Sequence, residues 1–249
     1  DERGERRGQR GRPITLRITP RPDAVPLLTA PSIPGAHLLT LADDVAIVQH
    51  ARGRRPLLST GYCVDDAGRL LAVAAQLADA DAAWSRCAAA CLRYLEAAYE
   101  PHTASMRNFM SFDRRWLQAP YHGDHVGRAL LGLAQAVNVG SLRLRSEEIA
   151  AGLLASWADG EPFLHNDAYC AVALTHLAPW APASLAPMLL ERFIDATNRC
   201  ERAGWLWPEE RIRYDHALLP QAICALADLC DDDDAFELGA EMLDWYSTI

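Results

Sequence analysis

The sequence lacks several features that define common protein classes. No stretch approaches the roughly 18 apolar residues that a membrane-spanning helix needs, and we expect no secretory signal because the charged start is not followed by an apolar stretch. Positive charge is also scarce, since 24 Lys and Arg stand against 33 Asp and Glu, a net charge of −9. Nonspecific nucleic-acid binding needs a basic surface. The composition therefore predicts neither a membrane nor a nucleic acid as partner.

Recognisable catalytic and metal-binding motifs are missing as well. The chain has no HExxH, no GxSxG, no Walker loop and no GxGxxG, so these routes to zinc, hydrolase or nucleotide chemistry are unsupported. Its seven cysteines form no CxxC pair, and most of them lie among Ala and Leu. This pattern is typical of free, buried thiols in a reducing compartment. We predict a cytoplasmic protein with no metal and no cofactor.

The chain changes character near residue 35. Five Arg fall within residues 1–12, and six Pro fall within residues 13–34. Such a composition predicts a flexible or extended arm over residues 1–35. Residues 36–249 are predicted to form the folded domain.

Helical periodicity dominates from residue 37 onward, because apolar residues recur at spacings of three and four. The predicted class is all-α. Residues 105–117 are expected to be irregular or a short β hairpin, with 108–112 as the best strand candidate. The other predicted helices cover 37–52, 66–79, 81–99, 124–139, 143–159, 166–178, 183–203, 215–230 and 234–246.

The order of these helices indicates a repeat. Amphipathic helices, predicted to be outer, alternate with helices that are apolar on nearly all sides, predicted to be inner. A repeated helical hairpin of this kind stacks into a solenoid or closes into an (α/α) toroid. We expect the toroid.

The most polar connections precede the inner helices, at residues 61–66, 121–125, 165–169 and 205–216. If the inner helices run parallel, these four loops meet at one end and line a pocket. The alternative is structural: each Asp at a helix start could be an N-cap, and Trp205 and Trp207 could simply pack against the outer helices. Aromatic rings beside carboxylates are what a sugar site uses, because rings stack on C–H faces and carboxylates accept hydroxyl hydrogen bonds.

Paired carboxylates also suit glycoside cleavage, in which one group donates a proton and the other acts as base or nucleophile. Asp65 and Asp66 at one helix start, with Glu209 or Asp215 at another, would supply the pair from opposite walls.

Five segments, in order along residues 37–222, carry a family resemblance. They read HLLTLADDVAIVQHA at 37–51, GYCVDDAGRL at 61–70, NFMSFDRRW at 108–116, GDHVGRALLGL at 123–133 and WLWPEERIRYDHALLPQA at 205–222. Together they resemble the all-helical domain of bacterial glycosyltransferase-type proteins, which often follows a nucleotide-sugar transferase module. The resemblance implies an (α/α) toroid whose polar loops form a sugar cleft. The family domain continues with further hairpins, so an incomplete ring and a partner chain are expected.

The polar loops and the resemblance together predict the site residues. The predicted catalytic residues are Asp66, Glu209 and Asp215. The predicted substrate-binding residues are Gln49, His50, Tyr62, Asp65, Arg69, Asn108, His122, Asp124, Arg128, Trp205, Trp207 and Tyr214.

Two functions fit this prediction. The first is a carbohydrate-active enzyme that is hydrolase-like in chemistry, with Glu209 or Asp66 as general acid. The second is a non-catalytic module that binds a glycan or supports a separate glycosyltransferase. The second function is supported by departures from the family pattern. Ala67, Val126 and His216 stand where the family has different, polar residues, and Pro208 stands where it has an aromatic residue.

Overall fold

The computed structural model describes residues 35–160 and 163–249. Residues Gly35–Ile249 form one compact unit. The predicted arm lies outside the described residues, apart from Gly35. Within the described part the chain is mostly helical, and no helix there is long and apolar enough to cross a membrane.

The described part contains nine α-helices and six two-residue strands. The helices are α1 Ala36–Leu41, α2 Val64–Leu77, α3 Ala82–Ala98, α4 Asp124–Ala136, α5 Arg143–Ala155, α6 Leu164–Leu177, α7 Leu185–Cys200, α8 Leu218–Cys230 and α9 Asp233–Tyr246. The strands are β1 Ala51–Arg52, β2 Arg55–Pro56, β3 Tyr62–Cys63, β4 Tyr99–Glu100, β5 Ser105–Met106 and β6 Phe109–Met110. Eight of the helices agree with predicted segments to within a few residues at each end.

The predicted helix over 37–52 is wrong beyond its first turns. Helix α1 stops at Leu41, and the Asp43 carboxylate then accepts hydrogen bonds from the backbone N–H groups of Val45 and Ala46 at 2.8 and 3.3 Å. An aspartate that captures its own following amides favours a turn over a helix. The chain continues as an extended segment in which Ala46 and Val48 are buried, and it then turns at Gly53 between β1 and β2.

Strands β5 and β6 do not pair with each other, but an isolated antiparallel bridge joins Met110 to Trp116, so the short hairpin expected within 105–117 is formed by β6 and the residues that follow it. Strand β6 pairs antiparallel with β3, with Tyr62 opposite Met110, and β5 pairs antiparallel with β4. The strand expected at 108–112 is present as β6. These pairings tie the segment before α4 to the start of α2, which brings two of the polar loops together.

The helices pack as a row of hairpins. Helices α2, α4, α6 and α8 each contact the next member of this series, and each also packs against the helix that follows it in the chain. We call α2, α4, α6 and α8 the inner helices. The most enclosed is α4, where ten of thirteen residues are buried. Helix α2 was expected to be buried all round, but Val73 and Leu77 on it are 42% and 37% exposed.

Two glycines set the distance between α2 and α4. A Cβ on Gly68 would lie 2.5 Å from the Arg128 carbonyl oxygen, and a Cβ on Gly132 would lie 2.6 Å from the Gly68 carbonyl oxygen. The two backbones therefore touch without side chains between them. This contact holds the second turn of α2 beside the second and third turns of α4.

Candidate functional site

Arg128 is the centre of a cluster of charged side chains at the N-terminal ends of the inner helices. It lies on α4 and is only 8% exposed. Its Nη1 lies 2.6 Å from Asp65 Oδ1 and 3.2 Å from Asp124 Oδ2, and its Nη2 lies 3.1 Å from Asp215 Oδ2. One guanidinium thus gathers carboxylates from α2, from α4 and from the loop before α8. We call these four residues the Arg128 cluster.

Asp65 is oriented from its other side by Asn108. The Asn108 amide donates to Asp65 Oδ2 at 2.9 Å, and its Oδ1 accepts the backbone N–H of Val64 at 3.0 Å. Asn108 directly precedes β6, so the β3–β6 pairing places it at the start of α2. An ionised carboxylate in the first turn of a helix is also stabilised by the helix dipole. Asp65 is therefore held in one orientation by partners on both sides.

Asp215 adopts an unusual backbone conformation and has two hydrogen-bond donors. Its φ of 48° lies in the left-handed region, where Asp and Asn are the best-tolerated residues after Gly. The Tyr169 hydroxyl, which accepts from Arg128 Nε at 3.0 Å, donates to Asp215 Oδ2. Burial raises the pKa of Asp215, but the bonds from Tyr169 and Arg128 outweigh it, so the pKa lies below its usual value. Asp215 is ionised at neutral pH.

Arg69 separates two cavities beside the Arg128 cluster. Its Nη1 contacts Asp66 Oδ1 at 3.1 Å, and its Nη2 lies 3.9 Å from Asp215 Oδ2. One cavity, of about 270 Å³, has Gln49, His50, Asp66 and Arg69 among its lining residues, and the rest of its lining is apolar. The other, of about 430 Å³, is lined by Arg69, Tyr169, Asp215, His216 and Gln221 among others. Polar side chains from five separate parts of the chain therefore face this region.

Tyr214 connects this region with Glu209. Its hydroxyl donates to Asp124 Oδ2 at 3.1 Å, and its ring stacks obliquely on the buried His165, with the ring centres 4.5 Å apart. His165 Nε2 lies 3.2 Å from Glu209 Oε2, and Arg213 Nε lies 3.4 Å from Glu209 Oε1. Glu209 lines neither cavity beside Arg69. Its expected partnership with Asp66 is therefore not formed in the structure.

The expected stacking platform of Trp205 and Trp207 is also wrong in this structure. Trp207 is fully buried, where it packs against Trp245 and Tyr246. Trp205 donates its indole N–H to the Glu209 backbone carbonyl at 2.9 Å and packs edge-on against Trp245. Both rings anchor the loop before α8 to α9, which is the packing role considered as the alternative.

Two further predicted residues lie away from the Arg128 cluster. Tyr62 is buried, and its hydroxyl donates to Asp43 at 2.5 Å. His122 lines a different cavity, which includes Tyr99 and His102. Of the departures from the family pattern, Ala67 and Val126 are core residues, whereas His216 lines the second cavity beside Arg69.

Sequence reasoning missed Tyr169. It lies on the inner helix α6 and was treated as part of a polar loop without a role of its own. The signal was a shared spacing: Arg69 follows Asp65 by four residues, Arg128 follows Asp124 by four, and Tyr169 follows the buried His165 by four. Because residues four apart share a face of a helix, the three side chains occupy corresponding places on three inner helices.

The described residues contain no group of three or more His, Cys, Asp or Glu side chains arranged to hold a metal ion. No family model, no curated protein and no solved structure matches the chain. The functional argument therefore depends on the geometry of the Arg128 cluster and of the cavities beside Arg69.

Proposed function

We propose that this chain is a carbohydrate-active domain that acts on a glycan in the cleft around Arg69. The arrangement that we propose for the inner helices is an (α/α) toroid. Two observations support it: the inner helices follow one another in a row, each with an outer partner, and Arg69 at the start of α2 reaches toward Asp215 before α8. The seven free thiols fit the reducing cytoplasm that we propose as its location.

The observation that carries the proposal is the gathering of Asp65, Asp124 and Asp215 around one guanidinium, beside two open cavities. Carboxylate oxygens accept hydrogen bonds from sugar hydroxyls, and guanidinium groups donate to sugar oxygens. Tyr169 and His216 add ring surfaces to the second cavity. This combination suits a neutral, hydroxyl-rich ligand better than an apolar one.

Asp66 and Asp215 are the carboxylates that could carry the reaction. Both contact Arg69, on different nitrogens, so their nearest oxygens are no more than about 9 Å apart, a spacing that glycosidic cleavage by two carboxylates allows. Asp215, held ionised by Tyr169 and Arg128, would act as base or nucleophile. Asp66 would give its proton to the leaving oxygen. Glu209, which lines neither cavity beside Arg69, is less suited to this role than Asp66, which lines one of them.

The test is turnover of a panel of aryl glycosides and of manno- and gluco-oligosaccharides. We expect Asp66→Asn and Asp215→Asn each to lower kcat by at least about a hundredfold, because each removes one half of the acid–base pair. Asp79→Asn, an exposed position at the end of the same helix, is the matched control and should leave turnover unchanged. An established activity that survives both site substitutions contradicts the catalytic assignment.

A second candidate function is glycan binding without catalysis. It is favoured by the way in which Arg128 and Tyr169 already occupy Asp215 Oδ2, since a carboxylate oxygen engaged by two donors is a weak base and a weak nucleophile. Its signature is thermal stabilisation by a sugar without turnover, unchanged between about pH 5 and pH 8. A turnover that is lower in Asp215→Asn than in the wild type supports the enzyme. Thermal stabilisation by a sugar without any turnover supports the binding module.

A further inference from the structure

A separate cavity of about 740 Å³ lies between the start of α6, one face of α7 and the segment 208–213. It shares no lining residue with the two cavities beside Arg69. Four arginines line it: Arg192 and Arg199 from α7, and Arg211 and Arg213 from the loop before α8. Four carboxylates, those of Asp167, Asp195, Glu209 and Glu210, line the same cavity, so its formal charges balance in a chain whose net charge is −9.

Two of these arginines are fixed in place by carboxylates on the protein side. Arg192 uses only Nη1 to reach Asp167, at 3.3 and 3.4 Å, and Arg213 uses Nε to reach Glu209 at 3.4 Å. Asp167, which is 3% exposed, also accepts the Trp157 indole N–H at 2.9 Å. Each arginine is therefore held by one edge, and the N–H groups on its other edge have no partner among the described residues.

Arg199 and Arg211 are exposed and line the same cavity. Neither makes a hydrogen bond or an ion pair among the described residues. The cavity also contains Asp195 and Glu210, which are exposed and make no ion pair with the arginines in the described part of the chain. Within the described residues, each of the four arginines therefore keeps N–H groups that are open to an external acceptor.

We propose that this cavity binds the phosphoryl group of a small molecule. A phosphate presents several acceptor oxygens in a tetrahedral array, and planar guanidinium groups bind such oxygens with two parallel hydrogen bonds. Arg192 and Arg213 provide fixed donors, and Arg199 and Arg211 complete the site from the α7 face and from the loop. The remaining volume accommodates the organic part of the ligand. This site is additional to the glycan cleft and does not depend on it.

The experiment is calorimetric titration of the whole chain with inorganic phosphate, at an ionic strength held constant with chloride. We expect saturable binding of one phosphate per chain. In Arg199→Gln/Arg211→Gln the Kd should rise at least about tenfold, because charge-assisted hydrogen bonds from two guanidinium groups are lost. Arg54→Gln/Arg55→Gln, which removes two exposed arginines from the β1–β2 turn, is the matched control and should keep the wild-type Kd.

A second variant and a second ligand sharpen the result. Arg199→Lys/Arg211→Lys keeps the charge but loses the paired donors, so its Kd should lie between those of the wild type and the glutamine variant. Phenyl phosphate should bind at least as tightly as inorganic phosphate, and acetate should not compete. The proposal is overturned if the wild type shows no saturable phosphate binding, if the glutamine variant binds as the wild type does, or if acetate competes equally well.

Discussion

Replacement of Arg128 by methionine tests the central feature of the candidate site. Methionine keeps an unbranched side chain about as long as the aliphatic part of arginine but removes the charge and every hydrogen-bond donor. The wild-type guanidinium contacts Asp65, Asp124, Asp215 and the Tyr169 hydroxyl, and its side chain is 10% exposed. The substitution leaves three carboxylates close together with no arginine between them.

The expected loss of unfolding free energy follows from the burial of those partners. Breaking a buried ion pair from one side costs about 3–5 kcal/mol, because the remaining charge stays buried without a partner. The Asp65 side chain is 14% exposed, whereas those of Asp124 and Asp215 are 29% and 44% exposed and are partly relieved by water. We therefore expect the lower end, about 3 kcal/mol at pH 7, which lowers the Tm by roughly 6–12 °C in a domain of this size.

The loss of unfolding free energy in Arg128→Met should depend on pH, and the direction of that dependence follows from the pKa of Asp215. In the wild type the pKa of Asp215 is lowered, so its contribution to stability is present above the unfolded-state pKa and is lost as the pH falls through the folded-state pKa. Without Arg128 the carboxylates repel one another, so the pKa of Asp215 rises and its protonation relieves the repulsion. The difference between Arg128→Met and the wild type should therefore shrink from pH 7 to about pH 4.

The measurement is urea unfolding followed by far-UV circular dichroism at both pH values. The control is Arg145→Met, which removes an arginine whose partners Glu96 and Glu148 lie on the surface, and it should barely move the midpoint. A loss below about 1 kcal/mol at pH 7, or a loss that grows toward acid pH, would refute the account of Arg128 as the counter-charge of the cluster.

The remaining predictions concern a glycine contact, a strained residue and the thiols. Gly68→Ala should lower the unfolding free energy by about 1–3 kcal/mol, because its Cβ would meet the Arg128 carbonyl, whereas Gly140→Ala, with open space around it, should not; urea unfolding of both variants measures this. Asp215→Ala should be about 1 kcal/mol less stable than Asp215→Asn at pH 7, since Asn tolerates the left-handed backbone and keeps an acceptor oxygen, and equal midpoints would be inconsistent with this reasoning. A thiol reagent should modify half-buried cysteines quickly in the native protein and buried ones at a rate limited by unfolding, which mass spectrometry of the labelled peptides can follow. The fast group is Cys200, Cys224 and Cys230, and the slow group is Cys63, Cys87, Cys91 and Cys170.

Helical periodicity predicted eight of the nine described helices because their apolar faces repeat over three or more turns. It failed at residues 42–52, where Ala46 and Val48 are buried with a spacing of two. A short apolar run of this kind fits either period, and the deciding interaction is the bond from the Asp43 side chain to the following backbone amides. That interaction is local, but sequence patterns of apolar residues do not reveal it.

The part of the candidate site that lies at the starts of helices was predictable from the sequence. Asp65, Asp124 and Arg128 meet because the inner helices begin at one end, which the positions of the polar loops had indicated. The tryptophans were not predictable from composition, since a loop indole can line a cleft or anchor the loop. The partner that decides this is Trp245 of α9, which lies 38 residues beyond Trp207 in sequence.

The contact between Gly68 and Gly132 has a consequence for protein engineering. The separation of Asp65 and Arg128 is set by two backbones in direct contact, and it does not depend on the length or sequence of the connecting loops. The turn at residues 53–54 between β1 and β2 could therefore be exchanged or randomised in a library without altering the spacing of the charged centre. Selection on such a library would vary the ligand preference while the charged groups keep their positions. Specificity could then be changed without disturbing the site.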